Sequence, residues 1–235
     1  MKYVFYLKKF WLIYVCTAVV IMVITFGTSD AVTTAVQNTP IPRSMRIVID
    51  AGHGGEDGGA ISCSGVPESQ INLEIALRLN DLLHLFGYDT CMVRSADISI
   101  YTEGKTIAQR KLSDLKQRVK IVNETDHAIL ISIHQNTFPI EKYCGAQVFY
   151  NDVQPARAMA EHMQETFTQT INPGSNRQCK KADGIYLMQQ VKQPALLVEC
   201  GFLSNPEEEQ RLRDGQYQQK ICCVIASALC SYVSA

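Results

Sequence analysis

The chain predicts a three-layer α/β/α fold built on a mostly parallel, mixed sheet of about six strands. Three observations carry that expectation. Short apolar, β-branched runs alternate with helix-length amphipathic runs from Met45 onward, which is the pattern of βα units rather than of an all-β or all-α domain. Two of these runs, Ile47-Val48-Ile49 and Ile129-Leu130-Ile131, are apolar without alternation, as strands buried on both faces are. Gly87 follows one helical pattern as a stop, ahead of the next strand-like run.

In order, strands are expected at Arg46–Asp50, Tyr88–Val93, Ala128–His134, Ala146–Tyr150, Ile185–Met188 and Ala195–Cys200. Between the first two, Ile71, Ile75, Leu79, Leu82 and Phe86 recur at helical spacing, with Pro67-Glu68-Ser69 as the opening. Further helices are expected at Ile107–Asn123, Ala156–Thr170 and Tyr217–Val233. Ser204-Asn205-Pro206-Glu207-Glu208 reads as a capped helix start of structural role. Only one helix is expected between His134 and Glu199.

Composition narrows the function classes. The 235 residues are 46% hydrophobic with a net charge of −1, which suits one globular domain plus an accessory segment and leaves no basic surplus for nucleic acid. At the front, Lys2, Lys8 and Lys9 precede an uncharged stretch, Phe10 to Phe26, of about 17 residues, just enough to cross a bilayer. This predicts a cytoplasmic N-terminus and an exported domain, with a cleaved signal peptide as the rival. Residues 1–27 are thus read as a membrane anchor or signal segment, 28–45 as a linker and 46–235 as the catalytic domain. Nine cysteines without a Cys-x-x-Cys pair, several within apolar patterns, are expected to be mostly free thiols.

The chemistry gathers at strand ends. His53, in Asp50-Ala51-Gly52-His53-Gly54-Gly55, and His134, in Ser132-Ile133-His134-Gln135-Asn136, each close a strand, where open α/β sheets form their ligand crevice. Two imidazoles plus a carboxylate make a catalytic zinc set. Glu68 is the preferred third ligand, against a simple helix-dipole role for it and against Glu56 and Asp57 as competitors. Glu199 ends an apolar strand, a costly place for a carboxylate unless it is functional or paired to an arginine, and it is the nominated general acid/base. His84, His127 and His162 lack partners at ligand spacing. The glycines around His53 fit no phosphate-loop spacing and are expected to fold backbone around it.

These residues resemble the zinc-dependent N-acetylmuramoyl-L-alanine amidases of the amidase-3 type. The resemblance spans about Arg46 to Val233 and rests on Ile49-Asp50-Ala51-Gly52-His53-Gly54-Gly55, Glu68 ahead of Asn72-Leu73, the His134 motif, and Val198-Glu199-Cys200-Gly201-Phe202-Leu203-Ser204-Asn205-Pro206. It implies His53, Glu68 and His134 as ligands of one zinc per chain and Glu199 as the catalytic residue. Ala51 departs from the family's usual proline, and Cys200 from its small or apolar residue. Asp183-Gly184-Ile185-Tyr186-Leu187-Met188 and Leu115-Lys116-Gln117-Arg118-Val119-Lys120 are similar to the CwlD-type spore-cortex branch. That branch implies cleavage of muramoyl–alanine amides in cortex peptidoglycan ahead of muramic-δ-lactam formation for germination. No separate inhibitory helix is evident, which leaves control to a regulatory partner, expression timing or zinc supply. Asn136 and Arg118 are weak candidates for contacts to the muramoyl group. A zinc peptidase or deacylase acting on another amide, or an inactive wall-binding protein, remains open from sequence.

Overall fold

A computed structural model describes residues 45–233, with side chains through 231. The expected anchor and nearly all of the linker lie outside the described residues. Among the described residues, no helix is long and apolar enough to cross a membrane.

The order of elements is β1 (Arg46–Ala51), α1 (Glu68–Leu85), β2 (Asp89–Met92), α2 (Ile107–Asn123), β3 (Ala128–Asn136), β4 (Gln147–Tyr150), α3 (Ala156–Thr170), β5 (Lys180–Lys181), α4 (Tyr186–Gln190), β6 (Ala195–Phe202), α5 (Pro206–Leu212) and α6 (Gly215–Val233). One six-stranded sheet runs β2-β1-β3-β6-β4-β5. Its strands pair in parallel except β4, which runs antiparallel to β6. The chain leaves β1 through α1 to reach β2 on one side, then returns through α2 to β3 on the other. The carboxyl ends of β1 and β3 therefore flank a topological switch point, where α/β sheets form their crevice.

Alternation along each strand divides the core. Ile47, Ile49, Ile131, Ile133, Val198 and Cys200 face α1, α3 and α6, while Val48, Leu130 and Leu197 face α2 and α4. Cys200 thus points away from the face of Glu199, as strand alternation requires. Helix α1 buries Ile71, Ile75, Leu79 and Leu83 at four-residue spacing. The expected stripe through Leu82 and Phe86 is shifted: Leu83 takes the core position, and Phe86 is exposed at the C-cap beside Gly87, whose φ is +82°. Thr106 and Gln109 form a reciprocal capping box that starts α2.

One expected strand is overturned. Ile185–Met188 is not a strand: Tyr186–Gln190 forms the short helix α4, which buries Leu187 and Met188 against the β1–β3–β6 face. Two apolar neighbours can be buried by one helical turn as well as by a strand, and Gly184, at φ +81°, turns the chain just before it. The sixth strand is instead Lys180–Lys181, exposed and polar, pairing with Phe149 and Tyr150 at the sheet edge. Two helices, not one, therefore separate His134 from Glu199. Cys63, Cys91, Cys144, Cys179, Cys200, Cys222 and Cys223 are unbridged thiols.

Candidate metal centre and acid/base site

Beyond β1 the backbone turns sharply. His53 adopts φ +60°, and Gly54, Gly55 and Gly59 also have positive φ. Gly52 has a second constraint, because a Cβ there would lie 2.2 Å from ring atoms of His134. Only glycine lets these two strand ends close to that distance. Two buried arginines brace the turn. Arg94 donates to the carbonyls of Ala51, Gly52, Ser69 and Ala96 at 2.8–3.0 Å. Arg118 donates to the carbonyls of Ala51 and His53 at 2.9 and 2.7 Å and pairs with Asp50 and Asp114.

This geometry brings three of the expected residues together. His53, Glu68 and His134 each offer a ligand atom, and those atoms all lie within 4.8 Å of one another. Glu68 Oε2 is 3.3 Å from His53 Nε2, and Oε1 is 2.9 Å from His134 Nδ1. Glu68, 3% exposed, also accepts bonds from the N–H groups of Ala60 and Gln135 and from the Asn72 amide. Burial would raise its carboxyl pKa, but the hydrogen bonds and charges of the two histidines outweigh that and hold it well below the usual carboxylate range. Its place in the first turn of α1 is therefore not explained by the helix dipole alone.

The competitors resolve differently. Asp57 Oδ2 bonds His53 Nδ1 at 2.9 Å, while Oδ1 pairs with Lys111 at 2.7 Å, so Asp57 orients His53 rather than joining the cluster. Glu56 is exposed and pairs with Arg110 at 2.7 Å. Burial works against protonation of His53, yet its bonds to Asp57 and Glu68 raise its pKa to about 9. The negative field that favours a proton there also favours a cation of higher charge, and a donor set of two imidazoles and one carboxylate suits zinc.

Glu199 lies directly opposite His134 in the β3–β6 register and opposite Gln147 in β4. Its Oε2 is buried and has no hydrogen-bond partner among the described residues. Among the described residues, no arginine forms an ion pair with Glu199. Burial, partly offset by His134 and His53 and reinforced by Glu68, raises its pKa to about 7. A carboxyl so placed exchanges a proton readily near neutral pH.

Arg118 is 2% exposed and fully engaged, which removes it from substrate contact and makes it a support of the His53 turn. Asn136 is half-buried at the end of β3. The Ser204–Glu208 segment is structural as expected. Asn205 caps α5, and Glu208 accepts the N–H groups of Gly145 and Phe202 at 2.8 Å. The sequence reading missed Arg94, whose only signal was an arginine one residue beyond an apolar strand, and it weighed Asp57 only as a competing ligand, not as the partner of His53 Nδ1.

Residues 47–231 match the family model described as N-acetylmuramoyl-L-alanine amidase. The chain belongs to that family. It is a hydrolase, and the family is metal-dependent. The germination-specific N-acetylmuramoyl-L-alanine amidase of Bacillus subtilis (strain 168) is 38% identical over 195 residues, 82% of this chain and 81% of its own length. The structure of the CwlD amidase from Clostridioides difficile in complex with the GerS lipoprotein aligns with a TM-score of 0.77 at 38% identity, covering 80% of this chain and 98% of that one. AmiC2 of Nostoc punctiforme aligns at a TM-score of 0.68 and 29% identity, over 81% of this chain and 98% of that one.

Proposed function

We propose that this amidase hydrolyses the amide between N-acetylmuramic acid and L-alanine in spore-cortex peptidoglycan, using one zinc ion per chain held by His53, Glu68 and His134. The observation that carries the reading is the pairing of that three-residue cluster with Glu199 across one strand register, its Oε2 buried and unpartnered. When bound, zinc supplies Lewis acidity and brings the pKa of a water toward neutrality. Glu199 takes the proton of the attacking water and returns it to the alanine nitrogen as the bond to the lactyl carbonyl breaks. Asp57 holds the tautomer of His53, and Arg94 and Arg118 hold the backbone that presents it.

The germination-specific relative supports the cortex assignment, in which stem-peptide removal precedes muramic-δ-lactam formation. The same reading places the catalytic domain outside the cytoplasmic membrane, carried by the segment Phe10–Phe26. It also includes a regulatory protein partner, in keeping with the lipoprotein found with the Clostridioides difficile relative. Digestion of purified cortex peptidoglycan tests the activity. Free stem peptides beginning with L-alanine are expected, whereas new reducing sugar ends or peptides cut within the stem would overturn it.

A further inference from the structure

Beside the crevice lies a second feature that hydrolysis itself does not use. A cleft of 730 Å³ opens between residues 142–145 and 171–177, with Glu208 and Arg211 in its wall. Arg177 lines it and is held at three points. Its Nε donates to the Cys144 carbonyl at 2.8 Å, its Nη1 donates to Gln147 Oε1 at 3.1 Å, and the guanidinium lies 4.7 Å from the Phe202 ring centroid. Among the described residues, Nη2 has no hydrogen-bond partner and no carboxylate pairs with this cation. Arg46 pairs with Asp89 at 2.6 Å and Arg157 with Glu161 at 2.9 Å, whereas Arg177, like Arg78 and Arg211, has no ion pair among the described residues.

The acid in the cleft, Glu208, feels the charges of Arg211 and Arg177 but forms no ion pair with Arg177. Both oxygens of Glu208 are turned to backbone N–H groups, at Gly145 and Phe202. Lys142 and Arg211 add two more cations to the wall, so positive charge outnumbers negative there. The Asn172 amide in the same wall has a buried Nδ2 without an acceptor. The cleft also connects to the reacting centre through the sheet. Gln147, which holds Arg177, is the register partner of Glu199, and Phe202, beneath the guanidinium, pairs with Asn136 two residues beyond His134. A planar guanidinium preorganised in this way matches a carboxylate, and side-by-side bonds to it are stronger and more directional than those of a lysine.

We infer that Arg177 is a specificity residue that binds a free carboxylate on the peptide side of the scissile amide, making this enzyme selective for anionic stem peptides. The inference rests on the amidase reading above. Its test uses the full-length protein and short glycan strands whose stem peptides carry, at the second residue, either a free α-carboxylate or the corresponding primary amide. The wild type is expected to cleave the free acid with kcat/KM about tenfold higher or more, through KM, the scale of a charge-assisted bond. Arg177→Gln should bring the two substrates to within about twofold, and Arg177→Lys should restore part of the preference. A role confined to propping the loop would lower both substrates alike and keep the ratio. Equal cleavage by the wild type, or an unchanged ratio in a folded Arg177→Gln protein, overturns the carboxylate site and leaves the amidase reading standing. Cleavage of neither substrate at the muramoyl–alanine bond overturns both.

Discussion

Glu68 and Glu199 are carboxylates of one site driven in opposite directions by their surroundings. Glu68 receives two histidines and three N–H donors and stays ionised, which suits a metal ligand; Glu199 receives no donor at Oε2 and is lifted to about 7, which suits a proton carrier. Glu199→Gln preserves shape and removes the proton site. It should keep its metal and its unfolding midpoint while losing peptide release by at least about 100-fold, the scale of a general acid/base contribution; near-normal turnover in the metal-loaded variant would reassign the role. His53→Ala or His134→Ala should instead lose the metal itself, since a three-ligand site does not tolerate a vacancy. Elemental analysis of the domain from Met45 should then fall from about one zinc per chain toward none, and full occupancy in both variants would remove the site. Both histidines and both glutamates were legible as strand-end and helix-start residues. Glu68 was preferred over Glu56 and Asp57, and the left-handed turn at His53 supplies what sequence lacked, the place of Asp57 at Nδ1 of the imidazole and of Glu68 at Nε2.

At the scale of elements, the turn after β1 works because α2 supplies its support. Arg118 bridges Asp50 and Asp114 while bonding the carbonyls of Ala51 and His53, and Ser132 on β3 donates to Asp50 at 2.7 Å. Arg118→Met strands the buried Asp50 carboxylate, so it should cost about 3–5 kcal/mol in urea unfolding, and Asp50→Asn in the same chain should recover part of that loss. Burial alone would raise the pKa of Asp50. The Arg118 charge and the Ser132 bond outweigh it, so its pKa lies below the ordinary 3.8. A depressed folded pKa gives stability that is present above the ordinary value and lost as pH falls through the folded one. Asp50→Asn should accordingly flatten the loss of stability below about pH 4; an unchanged acid slope would contradict this. Gly52→Ala drives a methyl into the His134 ring and should lower zinc content without abolishing the fold, as elemental analysis and circular dichroism would show. The elements themselves were readable wherever burial shaped the sequence. β1, β3 and β6 are apolar because both faces are covered, whereas the capping box of α2 was seen only in the structure. β5 escaped because two lysines at a sheet edge bury nothing, and α4 because Leu187 and Met188 give too short a run to show a period.

For the molecule as a whole, the direction of β1 matters. The chain enters the sheet at Arg46 and reaches the crevice at the far end of a six-residue strand, about 20 Å away at 3.3 Å per residue. The entry point is therefore at the end of the sheet opposite His53, His134 and Glu199. The sequence before Met45 has the marks of an anchor: Lys2, Lys8 and Lys9 ahead of an uncharged stretch ending at Phe26, followed by Gly27-Thr28-Ser29-Asp30, which lacks a clean small-x-small cleavage pattern. An apolar segment of about 17 residues holds by burial in hydrocarbon rather than by charge, so salt should not release it. Fractionation of sporulating cells should leave the full-length mass in the membrane pellet after a high-salt wash, and detergent should extract it. A protease added from outside to right-side-out membranes should digest the catalytic domain, as the proposed topology with the lysines on the cytoplasmic side requires. A shortened soluble form would show instead that the segment is removed as a signal peptide, and protection of the domain from external protease would reverse the orientation.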